Sequence, residues 1–224
     1  MNDVGGSGTA IGVLDLNPML VGIVLAVVGA GAGWLVRWGS VRLAKLEGLE
    51  PGNQPWQVWG PPIASALVFG AFGYELGATW LLLLHCVFGL VLVQVVFFDL
   101  EHRLILDRVI FPAMGLALAV SIFNHPWWAG LATGIGAGLL FALIALIGAL
   151  IFKAEAMGFG DVKLAVLIGL LLGWPYTVTA LFYGVFLAGL VSIGYVILKR
   201  SLKGTIAYGP YLAVGALILL FEMR

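Results

Sequence analysis

Two aspartates are placed where a carboxylate could do chemistry. Asp99 follows the apolar run Val95-Val96-Phe97-Phe98, and Asp161 stands between Met157-Gly158-Phe159-Gly160 and Val162-Lys163-Leu164. An ionisable group at membrane depth is costly, so each is a functional candidate by default. Two carboxylates at one low-dielectric boundary cannot both ionise cheaply; one proton is shared and their pKa values separate. The ionised partner can then take a proton from water while the protonated one polarises a carbonyl, the division of labour of an aspartic acid–base pair. Gly158 and Gly160 permit backbone angles closed to other residues and leave room for a peptide against the main chain. Opening a helix, Asp161 would lie near unpaired backbone N–H groups and the positive end of the helix dipole, which favours a carboxylate. The same placement also suits simpler roles. An Asp at a helix start is an ordinary N-cap, and buried carboxylates line ion paths as well.

Other polar residues have weaker readings. Asp107 lies in a basic segment with Arg103 and Arg108; it either supports the site or serves as an ion pair or N-cap for the next helix. His102 is three residues from Asp99, within reach if the helix continues, and otherwise an interfacial histidine. Lys163 either pairs with a carboxylate or snorkels. Glu155 reads as a solvated loop charge, and His85 and Cys86 as packing. The eight Trp, many near span ends, read as interfacial anchors.

The elements that must hold these aspartates are apolar helices. Of 224 residues, 62 % are hydrophobic and 10 % charged, with a mean hydropathy of +1.11. Soluble domains carry about 25 % charged residues. The formal net charge of zero, from 11 Lys+Arg and 11 Asp+Glu, offers no basic face for nucleic acid. It also excludes a disordered chain, which needs low hydrophobicity and high charge. The single cysteine excludes an intrachain disulfide, and no Cys/His group has zinc spacing. What remains is an all-α polytopic membrane protein.

Apolar runs of about 20 residues suit transmembrane helices. They are expected at 18–36, 63–76, 79–98, 109–123, 127–152, 164–172, 176–198 and 206–221, a bundle of eight crossings. The acidic, Gly-rich residues before Pro18 lack the basic start of a secretory signal, so the first helix is expected to be retained. Arg37 to Pro62 reads as a polar loop with the turn formers Pro51-Gly52-Asn53. With the N-terminus outside, Arg37, Arg42, Lys45, Arg103, Arg108, Lys153, Lys163, Lys199, Arg200 and Lys203 all fall inside, leaving Arg224 outside. This distribution requires the short sixth segment to cross. Two crossings separate Asp99 from Asp161, so both sit at the cytoplasmic end. Gly130, Gly134 and Gly138, like Gly29 and Gly33, form small-residue ladders suited to close helix approach.

Two segments then resemble a known family. Phe98-Asp99-Leu100-Glu101-His102-Arg103-Leu104-Ile105-Leu106-Asp107-Arg108 and Met157-Gly158-Phe159-Gly160-Asp161-Val162-Lys163-Leu164 are similar to the paired aspartate motifs of the type IV prepilin leader peptidases. The second is the Gly-x-Gly-Asp signature of intramembrane aspartic proteases, which archaeal preflagellin peptidases share. Tyr208-Gly209-Pro210 resembles the run that opens the family's last helix, and the likeness covers roughly Pro61 to the C-terminus. Presenilin-like proteases have a Tyr before their first aspartate. Phe98 here points to the prepilin branch.

The resemblance implies Asp99 and Asp161 as catalytic aspartates, with Gly158, Gly160, Asp107 and Lys163 supporting. Together with the spans read above, the expected domain plan is an N-terminal tail and first helix (1–36), a short cytoplasmic loop (37–62) and a seven-helix peptidase core (63–224). The implied activity is removal of the basic leader from prepilin-like (class III signal peptide) precursors at the cytoplasmic face of the inner membrane. The implied partners are prepilin or pseudopilin precursors and the lipid bilayer, with no nucleic acid. No cofactor is expected for proteolysis. S-adenosylmethionine is called for only where the family's second activity, N-methylation of the new N-terminus, is retained. The chain departs from the family in having Leu106 where Pro is common, and in lacking the two zinc-binding Cys-x-x-Cys pairs. The alternative from a different class is an ion-coupled transporter or proton path built on the same carboxylates.

Overall fold

A computed structural model of the protein describes residues 17–77, 79–123, 126–152, 158–199 and 207–222. These residues form eight α-helices: α1 (Pro18–Leu46), α2 (Pro55–Leu76), α3 (Trp80–His102), α4 (Asp107–Phe123), α5 (Trp128–Phe152), α6 (Phe159–Leu172), α7 (Tyr176–Lys199) and α8 (Gly209–Glu222). The all-helical class matches the expectation from composition. By length and composition, four of these helices could cross a membrane: Pro18–Leu46, Trp80–His102, Trp128–Ile151 and Tyr176–Tyr195. The residues expected to form the acidic N-terminal tail, and Lys153, Glu155, Met157, Arg200, Lys203 and Arg224, lie outside the described residues.

The polar loop expected over Arg37–Pro62 is largely helical. Helix α1 runs ten residues further than its apolar stretch, and α2 starts eight residues earlier, at Pro55, leaving only 47–54 as connection. The reason lies in side-chain spacing. Gly29, Gly33, Arg37, Ser40 and Ala44 fall on one face of α1 and are all buried. Hydropathy reads Arg37 and Ser40 as loop, whereas the fold gives each a partner on α3. At α2, Gln54 is the N-cap, and its amide donates to Gln57 Oε1 at 2.7 Å, the reciprocal half of a capping box. Pro55, with no N–H to leave unpaired, opens that helix.

The glycine ladders are packing seams. A Cβ on Gly33 would lie 2.5 Å from Pro62 Cα, and one on Gly29 2.5 Å from Ser65 O, so α1 and α2 meet backbone to backbone. On α5, Gly134 and Gly138 face Val166 and Leu170 of α6, and a Cβ on Gly169 would lie 2.5 Å from Gly134 Cα. Close approach of this kind is how helices associate where lipid removes the hydrophobic drive between them. Helix α6 is thereby wrapped by α4, α5, α7 and α8, and Leu164, Ala165, Leu167 and Ile168 are almost completely buried. It ends at Gly173, whose φ of +64° suits only a residue without Cβ. Outward-facing positions are apolar instead, for example Val27 and Leu35 on α1, Leu139 and Leu150 on α5, and Phe182 on α7. A protein that buries its polar groups and exposes such side chains is inside out relative to a soluble one.

Candidate active site

Asp99 sits in the last turn of α3, beyond the apolar run that buries the helix. Helix α3 does not stop there but continues to His102, where Arg103 takes the left-handed conformation (φ 54°) and its N–H bonds to Asp99 O at 2.8 Å. This is the αL ending common to helices, here on a non-glycine residue. The chain then reverses through Leu104-Ile105-Leu106, and α4 begins at Asp107. Ile105 and Leu106 are both buried, which anchors the turn.

Asp161 is the third residue of α6. Gly158 is the N-cap, and the Asp161 amide donates to Gly158 O at 3.1 Å. The third helical position is the one from which an acidic side chain turns back toward the N-cap amide, and the Gly158 N–H faces the Asp161 carboxylate. The expectation that Asp161 could itself be the N-cap is therefore replaced by this arrangement. The glycines before it do not use the backbone freedom that glycine permits. Gly158 has φ −70° and ψ 145°, open to any residue, and Gly160 is helical. Gly160 is small for contact instead, because a Cβ there would lie 3.0 Å from Ile105 Cβ.

Both carboxylates are buried, at 4 % exposure for Asp99 and 7 % for Asp161. They come from helices that share no extended interface, since α4 and α8 lie against both. The N-terminus of α8 joins them. A Cβ on Gly209 would lie 2.6 Å from Asp99 Oδ2 and 3.0 Å from Ile105 Cδ1. Asp161 and Arg103 both lie within electrostatic reach of Asp99. The C-terminal end of α3 and the N-terminal ends of α4, α6 and α8 thus converge, bringing Asp99, Asp161, Gly158 and Gly160 to one end of the bundle. Two buried carboxylates within reach of each other can hold one proton between them and exchange it with a third group.

Asp107 and Lys163 are not part of this pair but are joined to each other. Lys163 Nζ lies 2.5 Å from Asp107 Oδ1 and about equally far from the rings of Phe111 and Phe159, at 5.2 and 5.1 Å. The contact ties the first turn of α4 to the second turn of α6 beside the aspartates. His85 and Cys86 are buried mid-helix, with His85 edge-on to Phe72 at 5.3 Å. Among the described residues, no group of three or more His, Cys, Asp and Glu could hold a metal ion.

Three contributors were not singled out by sequence. Ile105 fills the gap between Gly160 and Gly209. Gly209 was legible only as part of a resembling run. The third is a polar clamp two residues beyond Asp99. Glu101 receives Arg37 Nη1 at 3.0 Å and the Gly52 amide at 2.6 Å, and Arg37 Nη2 donates to Gly52 O. His102 stacks on Phe98 at 4.5 Å, and its Nε2 lies 3.3 Å from Glu50 O. Charge opposition between Arg37 and Glu101 was the available signal. A separation of 64 residues hid the pairing.

Residues 86–193, which hold both aspartates, match the model of the type IV leader peptidase family. The chain is 28 % identical over 168 residues to a prepilin leader peptidase/N-methyltransferase of Pseudomonas aeruginosa, covering 70 % of this chain and 56 % of that protein. It is 30 % identical over 160 residues to one of Bacillus subtilis, covering 70 % and 62 %, and 32 % identical over 134 residues to one of Aeromonas salmonicida, covering 58 % and 46 %. The chain therefore spans about three fifths of the length of the first two relatives. No solved structure matches.

Proposed function

We propose, from the premise that this chain carries a type IV leader peptidase domain, that it is a membrane-embedded aspartic endopeptidase acting on prepilin-like precursors. The observation that carries this reading is the convergence of Asp99 and Asp161, both buried, at one end of a helical bundle with an apolar exterior. Asp99 and Asp161 are the catalytic pair. The ionised member takes a proton from water, the water oxygen attacks the scissile carbonyl, and the protonated member donates a hydrogen bond to that carbonyl oxygen. Collapse of the tetrahedral intermediate returns a proton to the leaving nitrogen, and the pair is restored.

In this reading all eight helices cross the bilayer of the inner membrane, with the N-terminus outside and the aspartates at the cytoplasmic face. A precursor would keep its basic leader in the cytosol and its hydrophobic helix in lipid, so that the scissile bond falls at the interface. Helices α6 and α8, at 14 residues each, span only about 21 Å against a hydrocarbon core of about 30 Å. A short wall of this kind supports local thinning and water access next to Asp161. Gly158, Gly160, Asp107 and Lys163 shape the surroundings of the pair. N-methylation with S-adenosylmethionine is the second activity to test, since the relatives carry both names.

The test is cleavage of prepilin-like peptides in lipid, with products identified by mass. Wild type is expected to cut once at the leader boundary, and Asp99→Asn and Asp161→Asn are each expected to lose at least about 100-fold while still inserting. A variant with near-normal turnover would remove that aspartate from the mechanism. A gain of one methyl group with S-adenosylmethionine present would establish the second activity. An ion flux without any peptide product would favour transport instead.

A further inference from the structure

We propose that Ile105 is the spacer that sets the separation of the Asp99 and Asp161 carboxylates, a positioning residue for the pair. The inference rests on the reading of those carboxylates as an acid–base pair. Their geometry needs a determinant, because α3 and α6 share no extended interface that could fix one against the other. One buried side chain packs against a neighbour of each, Gly160 next to Asp161 in sequence and Gly209 beside the Asp99 carboxylate. Ile105 is buried, at 7 % exposure, on the turn between α3 and α4. On one side it packs against Gly160, the residue before Asp161, with 3.0 Å from a Cβ there to its own Cβ. On the other, its Cδ1 would lie 3.0 Å from a Cβ on Gly209, the residue whose Cβ would meet Asp99 Oδ2 at 2.6 Å.

A β-branched side chain is stiff at χ1, so Ile105 holds this width better than a flexible residue would. Its backbone is held as well. Arg103 closes α3 onto Asp99 O, and Asp107, two residues on, is tied to Lys163 in the second turn of α6. The wedge is therefore fixed at both ends to the two helices it separates. Glycine at 160 and 209 is what allows a full isoleucine to enter.

The test reads the separation directly and catalysis second. In a Cys86→Ser background, Asp99→Cys and Asp161→Cys are bridged with dithiol-reactive reagents of graded length. Ile105→Ala is expected to shift bridging to shorter reagents, Ile105→Phe to longer ones, and Ile105→Val is expected to stay near the parent. A bridging pattern that ignores residue 105 overturns the proposal, whatever the protein does to peptides. With both aspartates intact, Ile105→Ala is expected to lower kcat by about 10- to 100-fold with KM within about twofold, as for a misplacement of about 1 Å, and Ile105→Val to recover most of it. Unchanged kcat in a cleaving enzyme overturns Ile105 as a positioning residue. Absence of cleavage by wild type overturns the peptidase reading, while the bridging result still decides the spacer.

Discussion

At the residue scale, two charge pairs beside the aspartates separate exposed from buried electrostatics. Lys163–Asp107 is short, but the Asp107 side chain is 53 % exposed, so solvent screens it. Lys163→Met or Asp107→Asn is expected to cost no more than about 1 kcal/mol of stability. Arg37–Glu101 is different, since both side chains are more than nine-tenths buried. Glu101→Leu strands the guanidinium and one backbone amide and is expected to cost about 3–5 kcal/mol, whereas the double change Arg37→Leu, Glu101→Leu recovers much of it. Thermal melting of the four variants in one detergent checks both statements. A Glu101→Leu protein as stable as Lys163→Met would mean that water reaches the clamp.

At the scale of elements, the glycines of α5 and α6 divide by what stands opposite them. Gly169 meets the Gly134 backbone, so Gly169→Ala must push two main chains apart and is expected to cost about 1–3 kcal/mol. Gly136 has open space around it, and Gly136→Ala is expected to be neutral or to stabilise by up to about 1 kcal/mol through the loss of unfolded-state freedom. Melting temperatures of opposite sign relative to wild type would bear this out. Equal shifts would mean that the α5–α6 seam is looser than drawn. Sequence spacing picked out the ladder on α5 but not its partner face, because Gly169 stands alone in the apolar run of α6.

At the scale of the molecule, the proposed eight-crossing arrangement makes a labelling prediction. In a Cys86→Ser background, cysteines at Glu50 and Asp107 should react with an impermeant thiol reagent from the cytoplasmic side. Cysteines at Trp127 and Trp174, both exposed at helix ends, should react from the other. Labelling of position 174 together with position 50 would mean that α6 does not cross. The orientation would then have to be redrawn, since the basic residues after α7 would change sides.

The sequence by itself determined the helical class, most of the apolar core of each helix, the identity of the aspartate motifs and the family resemblance. Those depend on local properties, namely hydropathy over about 20 residues and short motifs with fixed internal spacing. It misjudged the ends of α1 and α2, because polar residues such as Arg37 and Ser40 look solvated until Glu101 and Gln94 are placed beside them. The tertiary structure alone decided what surrounds the two carboxylates. Ile105, Gly160 and Gly209 lie on three different segments, and only the packing of α3, α4, α6 and α8 at one end of the bundle brings them into contact. An apolar side chain in a turn carries no chemical signal, and its role depends on what the fold presses against it.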